Sequence, residues 1–190
     1  MTESMPSGAF LKRPSAIAPA LKQEQALDLM VGLAEIQVVS GLAKFTFAGL
    51  GSCVGVCALD PEANVAGAVH IMLPKSLSGT ASDMLGKFAD TGIEELVRQM
   101  QAAGADVSRM QVAYAGGANV GDIGGKTSAC DLGSRNLETI TQVLRALRLP
   151  VKAADAGGTT GRTLRMSSQT GDVVVRTIRM GEAKLCSLRS

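Results

Sequence analysis

The sequence predicts an α/β (α+β) fold, a mostly antiparallel sheet with two helices on one side. Three observations predict it. Four short apolar runs follow one another at hairpin-like spacing. Two longer stretches repeat apolar residues at helical spacing. Of the 190 residues 46% are hydrophobic but only 3% aromatic, so the core must be built from Ala, Val, Leu, Ile and Met. One domain over residues 26–190 fits this length. Residues 1–25, rich in Pro, Ser, Ala and Lys, are expected to form a flexible N-terminal extension.

The elements follow in order. The segment Leu29–Val39 reads as a strand closed by Ser40-Gly41, and Leu42–Phe47 as a second that leads into Gly49-Leu50-Gly51-Ser52. Cys53–Leu59 is a third run, closed by Asp60-Pro61-Glu62, and Val65–Leu73 a fourth, closed by Pro74. From Asp83 to Ala103, Leu85, Phe88, Ile93, Leu96, Met100 and Ala103 form a near-helical stripe that Gly104 stops. Met110–Ala115 reads as strand and Gly116–Gly125 as a glycine-rich loop. A second amphipathic helix runs from Ser134 to Leu147, with Leu137, Ile140, Leu144 and Leu147 on one face. Strands Val151–Ala154 and Val173–Ile178 finish the domain.

Several function classes are excluded. Nineteen basic against seventeen acidic residues give a net charge of +2, too small a field for a nucleic-acid partner, and the aromatic platform for stacking bases is missing. The apolar run Val65–Leu73 is about half of the ~20 residues a bilayer demands and contains His70, so the chain is not expected to be membrane-inserted. The N-terminus has no continuous apolar core of a signal peptide, and a cytoplasmic protein is expected. There the four cysteines are thiols. With a single His in the chain, no metal site and no cofactor are expected.

The chemistry concentrates in Gly49-Leu50-Gly51-Ser52-Cys53 and in His70, seventeen residues on. Glycines before a nucleophile let the backbone turn sharply and free N–H groups to face an oxyanion, which makes Gly51 and Ser52 turn or oxyanion candidates. An imidazole beside a thiol takes its proton and returns it to the leaving group. Cys53 starts one strand and His70 lies late in the next, so an antiparallel hairpin brings those ends to one rim. The ordinary alternative is a buried Cys acting as a small hydrophobe and a His satisfied in the core; Cys57, Cys130 and Cys186 are read that way. A Cys53–Cys57 redox pair fails, because three intervening strand residues place the Cα atoms about 13 Å apart, beyond disulfide reach. The loop ending Gly125-Lys126-Thr127 lacks the leading glycine of a nucleotide-binding loop, having Val120 there. Arg135 and Asn136 sit at a helix start, where capping and loop anchoring are their usual roles. Arg162, after Gly157-Gly158, either pins that loop or meets an acidic surface.

The blocks GLGSCVGVCALDP, AGAVHIMLP, KFADTGIEEL, AGGA at 115–118, GSRN at 133–136 and DAGGTTGR at 155–162 resemble, in order from Met30 to Ile178, the CheD family of chemoreceptor glutamine deamidases. The resemblance implies a cysteine hydrolase that converts receptor Gln side chains to Glu, with receptor glutamyl methylesterase activity also known in such families. It implies a layered α-β-β sandwich similar to cytotoxic necrotizing factor deamidases. Cys53 would be nucleophile and His70 base and acid; the substrate would be the helical cytoplasmic domain of a chemoreceptor. A CheC-type CheY-phosphate phosphatase is an implied partner, and a chain with a weakened site would serve chiefly as an adaptor. The family usually places a His-orienting Thr six residues before the Cys, where this chain has Phe47. Thr46 is the candidate substitute if a bulge turns it inward; otherwise Ser52 or a backbone carbonyl orients His70, or the triad is incomplete.

Overall fold

The computed structural model describes residues 25–76, 84–120 and 131–190. Most of the expected N-terminal extension, the glycine-rich loop beyond Val120, Cys130 and the expected helix start at Asp83 lie outside the described residues. Ten strands and two helices are described: β1 (Leu27–Met30), β2 (Ile36–Ser40), β3 (Ala43–Leu50), β4 (Val54–Asp60), β5 (Val65–Ile71), α1 (Ala89–Ala102), β6 (Gln111–Gly116), α2 (Leu132–Ala146), β7 (Val151–Ala156), β8 (Arg162–Ser167), β9 (Asp172–Thr177) and β10 (Gly181–Ser187).

The strands form two five-stranded sheets, ordered β1-β3-β8-β9-β10 and β2-β5-β4-β6-β7. Pairing is antiparallel except for β1 with β3 and β6 with β7. Both helices cover one face of the second sheet, where Ile93, Leu96, Met100, Ile140 and Leu144 pack on Val54, Val56, Val69 and Ile71. The other face meets the first sheet through Cys57, Leu59, Ala66, Ala68, Ala113 and Ala115 against Phe45, Phe47, Leu50, Leu164 and Met166. The result is an α-β-β sandwich. Strands β4 and β5 lie in its middle and are buried along their whole length, which is why they read as continuous apolar runs rather than alternating ones. Small residues set the layer spacing: a Cβ at Gly67 would stand 2.7 Å from Leu96 Cδ1, so α1 rests directly on the β5 backbone.

Three expectations are corrected. The single strand Leu29–Val39 is two strands in different sheets, because the chain turns between them with Ala34 at φ 62°. The first four runs are therefore not one meander: β1 and β3 lie in one sheet, and β2, β4 and β5 in the other. Strands β8 and β10 went unread. In β8, Arg162 and Arg165 interrupt the apolar pattern although Leu164 and Met166 keep the two-residue period, and β10 is a largely exposed edge strand whose Glu182 and Lys184 look like loop.

Candidate active site

The β4–β5 ladder runs from Asp60↔Val65 to Val54↔Ile71 and sets Gly55 opposite His70. Residues two apart on a strand share a face. Cys53 thus continues the face of Gly55, one step beyond the end of β4, diagonal to His70. Cys53 packs, half-buried, against the cluster between the sheets. His70 is 3% exposed, and its ring meets Phe47 edge-on, centroids 5.9 Å apart and planes at 65°.

The imidazole is oriented by backbone. Its Nδ1 lies 3.1 Å from the Val31 carbonyl oxygen. A carbonyl only accepts, so Nδ1 carries the proton and Nε2 is left as the basic lone pair. Nε2 is buried and has no hydrogen-bond partner among the described residues. The turn that sequence reading missed supplies this carbonyl. Residues between β1 and β2 cross from one sheet to the other over His70, held where Ala34 N–H donates to the His70 carbonyl (3.0 Å) and His70 N–H to the Glu35 carbonyl (3.0 Å).

Thr46 is not brought to this site. It pairs with Met30 and Arg165 and lines a groove on the outer face of the first sheet with Asp28, Lys44, Arg165 and Glu182. Strand alternation sends its neighbour Phe47 inward instead. The irregularity in β3 comes after Phe47, between Phe47 and Leu50, too late to turn Thr46. An oxygen on Val31, sixteen residues from Phe47 in sequence, occupies the role the family's Thr was expected to fill.

The cysteine loop is held from two sides. On one, Gly117 N–H donates to the Cys53 carbonyl (2.9 Å) and Ala118 N–H to the Gly51 carbonyl (2.7 Å). Gly116, at φ 127°, is required there, since a Cβ would fall 2.2 Å from the Cys53 oxygen. On the other, the fully buried Asn136 of α2 donates from Nδ2 to the carbonyls of Ser52 (2.9 Å) and Met72 (3.0 Å). The N–H groups of Ser52 and Cys53 make no backbone hydrogen bond among the described residues. Arg162 pins the neighbouring β7–β8 loop: it pairs with the Asp155 carboxylate (2.6 Å) and donates to the carbonyls of Asp155, Gly157 and Thr160.

Burial pushes the Cys53 thiol above its ordinary 9.0, partly opposed by its own backbone N–H. Burial also pushes His70 below 6.5, partly opposed by the Val31 hydrogen bond. Near neutral pH both groups are uncharged, an arrangement suited to a base that takes the thiol proton during attack. Cys57 faces the same inter-sheet core but is fully buried, and burial drives its thiol far up, with Cys186 adding to the rise; it is held inert. Among the described residues no three His, Cys, Asp or Glu side chains converge to hold a metal, and no described helix is long and apolar enough to cross a membrane.

Comparison with known proteins identifies the family. Residues 72–177 match the family model CheD, described as CheD chemotactic sensory transduction. Over 154 residues the chain is 36% identical to a probable chemoreceptor glutamine deamidase CheD of Syntrophomonas wolfei, covering 81% of this chain and 96% of that protein. Its counterpart in Caldanaerobacter subterraneus is 41% identical over 80% of this chain and 94% of its own length. The chemoreceptor glutamine deamidase CheD of Halalkalibacterium halodurans is 36% identical over 82% of this chain and 96% of that protein. The extent and level of these matches make the chain a member of the CheD family.

Proposed function

We propose that this protein deamidates glutamine side chains of chemoreceptors, as the names of its relatives describe, and does so in the cytoplasm, with Cys53 as nucleophile and His70 as general base and acid. The observation that carries the reading is His70 itself: Nδ1 is bound to the Val31 carbonyl, and Nε2 is buried without a partner among the described residues, on the face that Cys53 shares. As the thiol attacks the carboxamide carbon, its proton passes to Nε2. The tetrahedral oxyanion is met by the N–H groups of Ser52 and Cys53, with Gly51 giving the turn its freedom. The imidazolium then protonates the amide nitrogen, and the C–N bond breaks to release ammonia and leave a thioester. His70 next removes a proton from water, which attacks the thioester, and glutamate and the free thiol are restored. A glutamyl methyl ester would follow the same course with methanol as leaving group. The receptor's helical cytoplasmic domain is the expected substrate surface. Thr46 takes no part.

A second reading, an adaptor binding receptors or a CheC-type phosphatase, is favoured by Phe47 alone, which leaves His70 without a side-chain acceptor. One experiment separates them. The full chain and its Cys53→Ala variant are each incubated with a receptor cytoplasmic fragment, and Gln-to-Glu conversion is followed by mass spectrometry. Conversion by the parent protein alone supports the enzyme. No conversion by either across several native receptors overturns it and favours the adaptor.

A further inference from the structure

We propose that Asn136 is a positioning residue that sets the distance between Cys53 and His70 by bracketing the two strand ends that carry them. The inference rests on the Cys53–His70 reading above. Regular pairing of β4 with β5 stops at Val54↔Ile71. Beyond it no ladder hydrogen bond holds Ser52 and Cys53 to Met72. The gap is closed by one side chain: Asn136 Nδ2 donates both its hydrogens, to the Ser52 carbonyl at 2.9 Å and the Met72 carbonyl at 3.0 Å. Ser52 adjoins the nucleophile, and Met72 lies two residues past the base. The amide thus acts as a substitute rung at the point where the backbone supplies none.

Its surroundings are built for this. Two carbonyl oxygens face the amide, so only the NH2 end fits there, and Asn136 Oδ1 is left buried with no partner among the described residues. A buried polar atom left unpaired is costly, and an apolar residue on this face of α2 would avoid the cost; the two donated bonds are what the asparagine supplies in exchange. Asn136 lies on the same stripe as Ile140 and Leu144, where a polar residue breaks the apolar pattern. Gly133, one turn earlier, brings the helix close enough: a Cβ there would stand 2.4 Å from the Gly117 carbonyl oxygen. Gly117 in turn binds the Cys53 carbonyl. Gly133 and Asn136 therefore serve a single contact, α2 pressed against the cysteine loop, and this explains the spacing of the GSRN block.

The test compares Asn136→Ala and Asn136→Asp, the second keeping the size and removing both donors, with Leu144→Ala, a buried truncation two turns along the same helix. Thermal unfolding reports folding. Deamidation of a receptor fragment gives kcat and KM, and the pH dependence of Cys53 alkylation by iodoacetamide reports the thiol–imidazole contact. Folded Asn136 variants are expected to lose about 100-fold in kcat, the scale of a roughly 1 Å misplacement, with KM unchanged. Their alkylation profile is expected to change toward that of His70→Ala. The proposal is overturned if a folded Asn136→Asp keeps the parent kcat and alkylation profile. It is equally overturned if Leu144→Ala, at a similar loss of thermal stability, reproduces both changes. Should Cys53→Ala itself remain active, the Cys53–His70 reading falls instead, and the outcomes are distinct.

Discussion

Placing one methyl group on Gly55 tests whether packing, rather than a side-chain hydrogen bond, keeps His70 in place. Gly55 lies opposite His70 in the β4–β5 ladder, beneath the Phe47 ring. A Cβ at residue 55 would stand 2.9 Å from Phe47 Cγ and Cδ1 and 3.2 Å from Cε1. Carbon atoms settle at about 3.5–4.0 Å, so the ring must retreat by the better part of an ångström. Phe47 is fully buried between the sheets and already rests edge-on against the imidazole. Its retreat strains the His70–Val31 hydrogen bond. Overpacking a closed core costs about 1–3 kcal/mol, and replacing a strand glycine returns about 0.5–1 kcal/mol, for a net loss near 1–2 kcal/mol. Urea denaturation followed by far-UV circular dichroism measures this. Deamidation by Gly55→Ala should fall about tenfold, more than the unfolded fraction accounts for. The Phe47→Leu background should relieve the clash, giving a favourable coupling of about 1 kcal/mol. A Gly55→Ala protein as stable and as active as the parent, or strict additivity with Phe47→Leu, would refute the packing argument.

Three more expectations concern charge and placement. The kcat/KM profile should be bell-shaped, its acid limb below 6.5, where depressed His70 protonates, and its alkaline limb above 9.0, where the raised Cys53 thiol ionises; an alkaline limb well below 9.0 would instead indicate a thiolate–imidazolium pair. Thr46→Val, on the outer face of β3, should leave kcat and KM for the receptor fragment at parental values, and a large drop in kcat would return Thr46 to the reaction. For Asp60, burial alone would raise the carboxyl, but Arg109 and the N–H groups of Asp106, Ala63 and Glu62 outweigh it and hold it at about 2. Its contribution is therefore present above the ordinary 3.8 and lost as pH falls toward 2; urea midpoints at pH 7 and pH 3 should show Asp60→Asn weakened at both and less acid-sensitive than the parent.

A mostly antiparallel sheet with two helices on one side could be read directly because the central strands advertise themselves, whereas the second sheet was only implied by the family resemblance. Val54–Asp60 and Val65–Ile71 are buried along their whole length, since helices cover one face and a second sheet the other, and the amphipathic stripe of α2 packs on the helix-covered face. What stayed hidden depended on contacts distant in sequence. The strand break at Val31–Glu35 has only Gly32 as a local mark, and Ala34 takes its positive φ from the crossing between sheets rather than from its own preference. The edge strand β10 is exposed and mixed in charge, as edges generally are. Within the site, Cys53 and His70 were legible because their residue types are chemically unusual in apolar strands. The Val31 carbonyl was not, because every residue has one and only tertiary structure says where it points. Asn136 left a trace, a polar residue on the buried stripe of a helix, but its acceptors lie 84 and 64 residues away.

These two hidden contacts bear on how a site can lose a familiar residue and still be organised. Orienting an imidazole requires an acceptor at Nδ1 and a wall that stops the ring rotating; nothing requires both from one side chain. A threonine would supply the acceptor and a little of the wall. Here the two tasks are divided. The Val31 carbonyl accepts the Nδ1 proton, and Phe47, fully buried, fills the space against the ring. A carbonyl fixed by the Ala34 and His70 backbone bonds has no rotamers to lose, so ordering it costs less entropy than ordering a hydroxyl. The arrangement also separates the consequences of change. Removing the Phe47 ring should loosen the imidazole while leaving its proton on Nδ1, and disturbing the Val31–Glu35 turn should free the tautomer while the wall stands. On the proposed Cys53–His70 reading, Phe47 is then a compensated replacement rather than a lesion, and its size is what Gly55, bare of a side chain, accommodates.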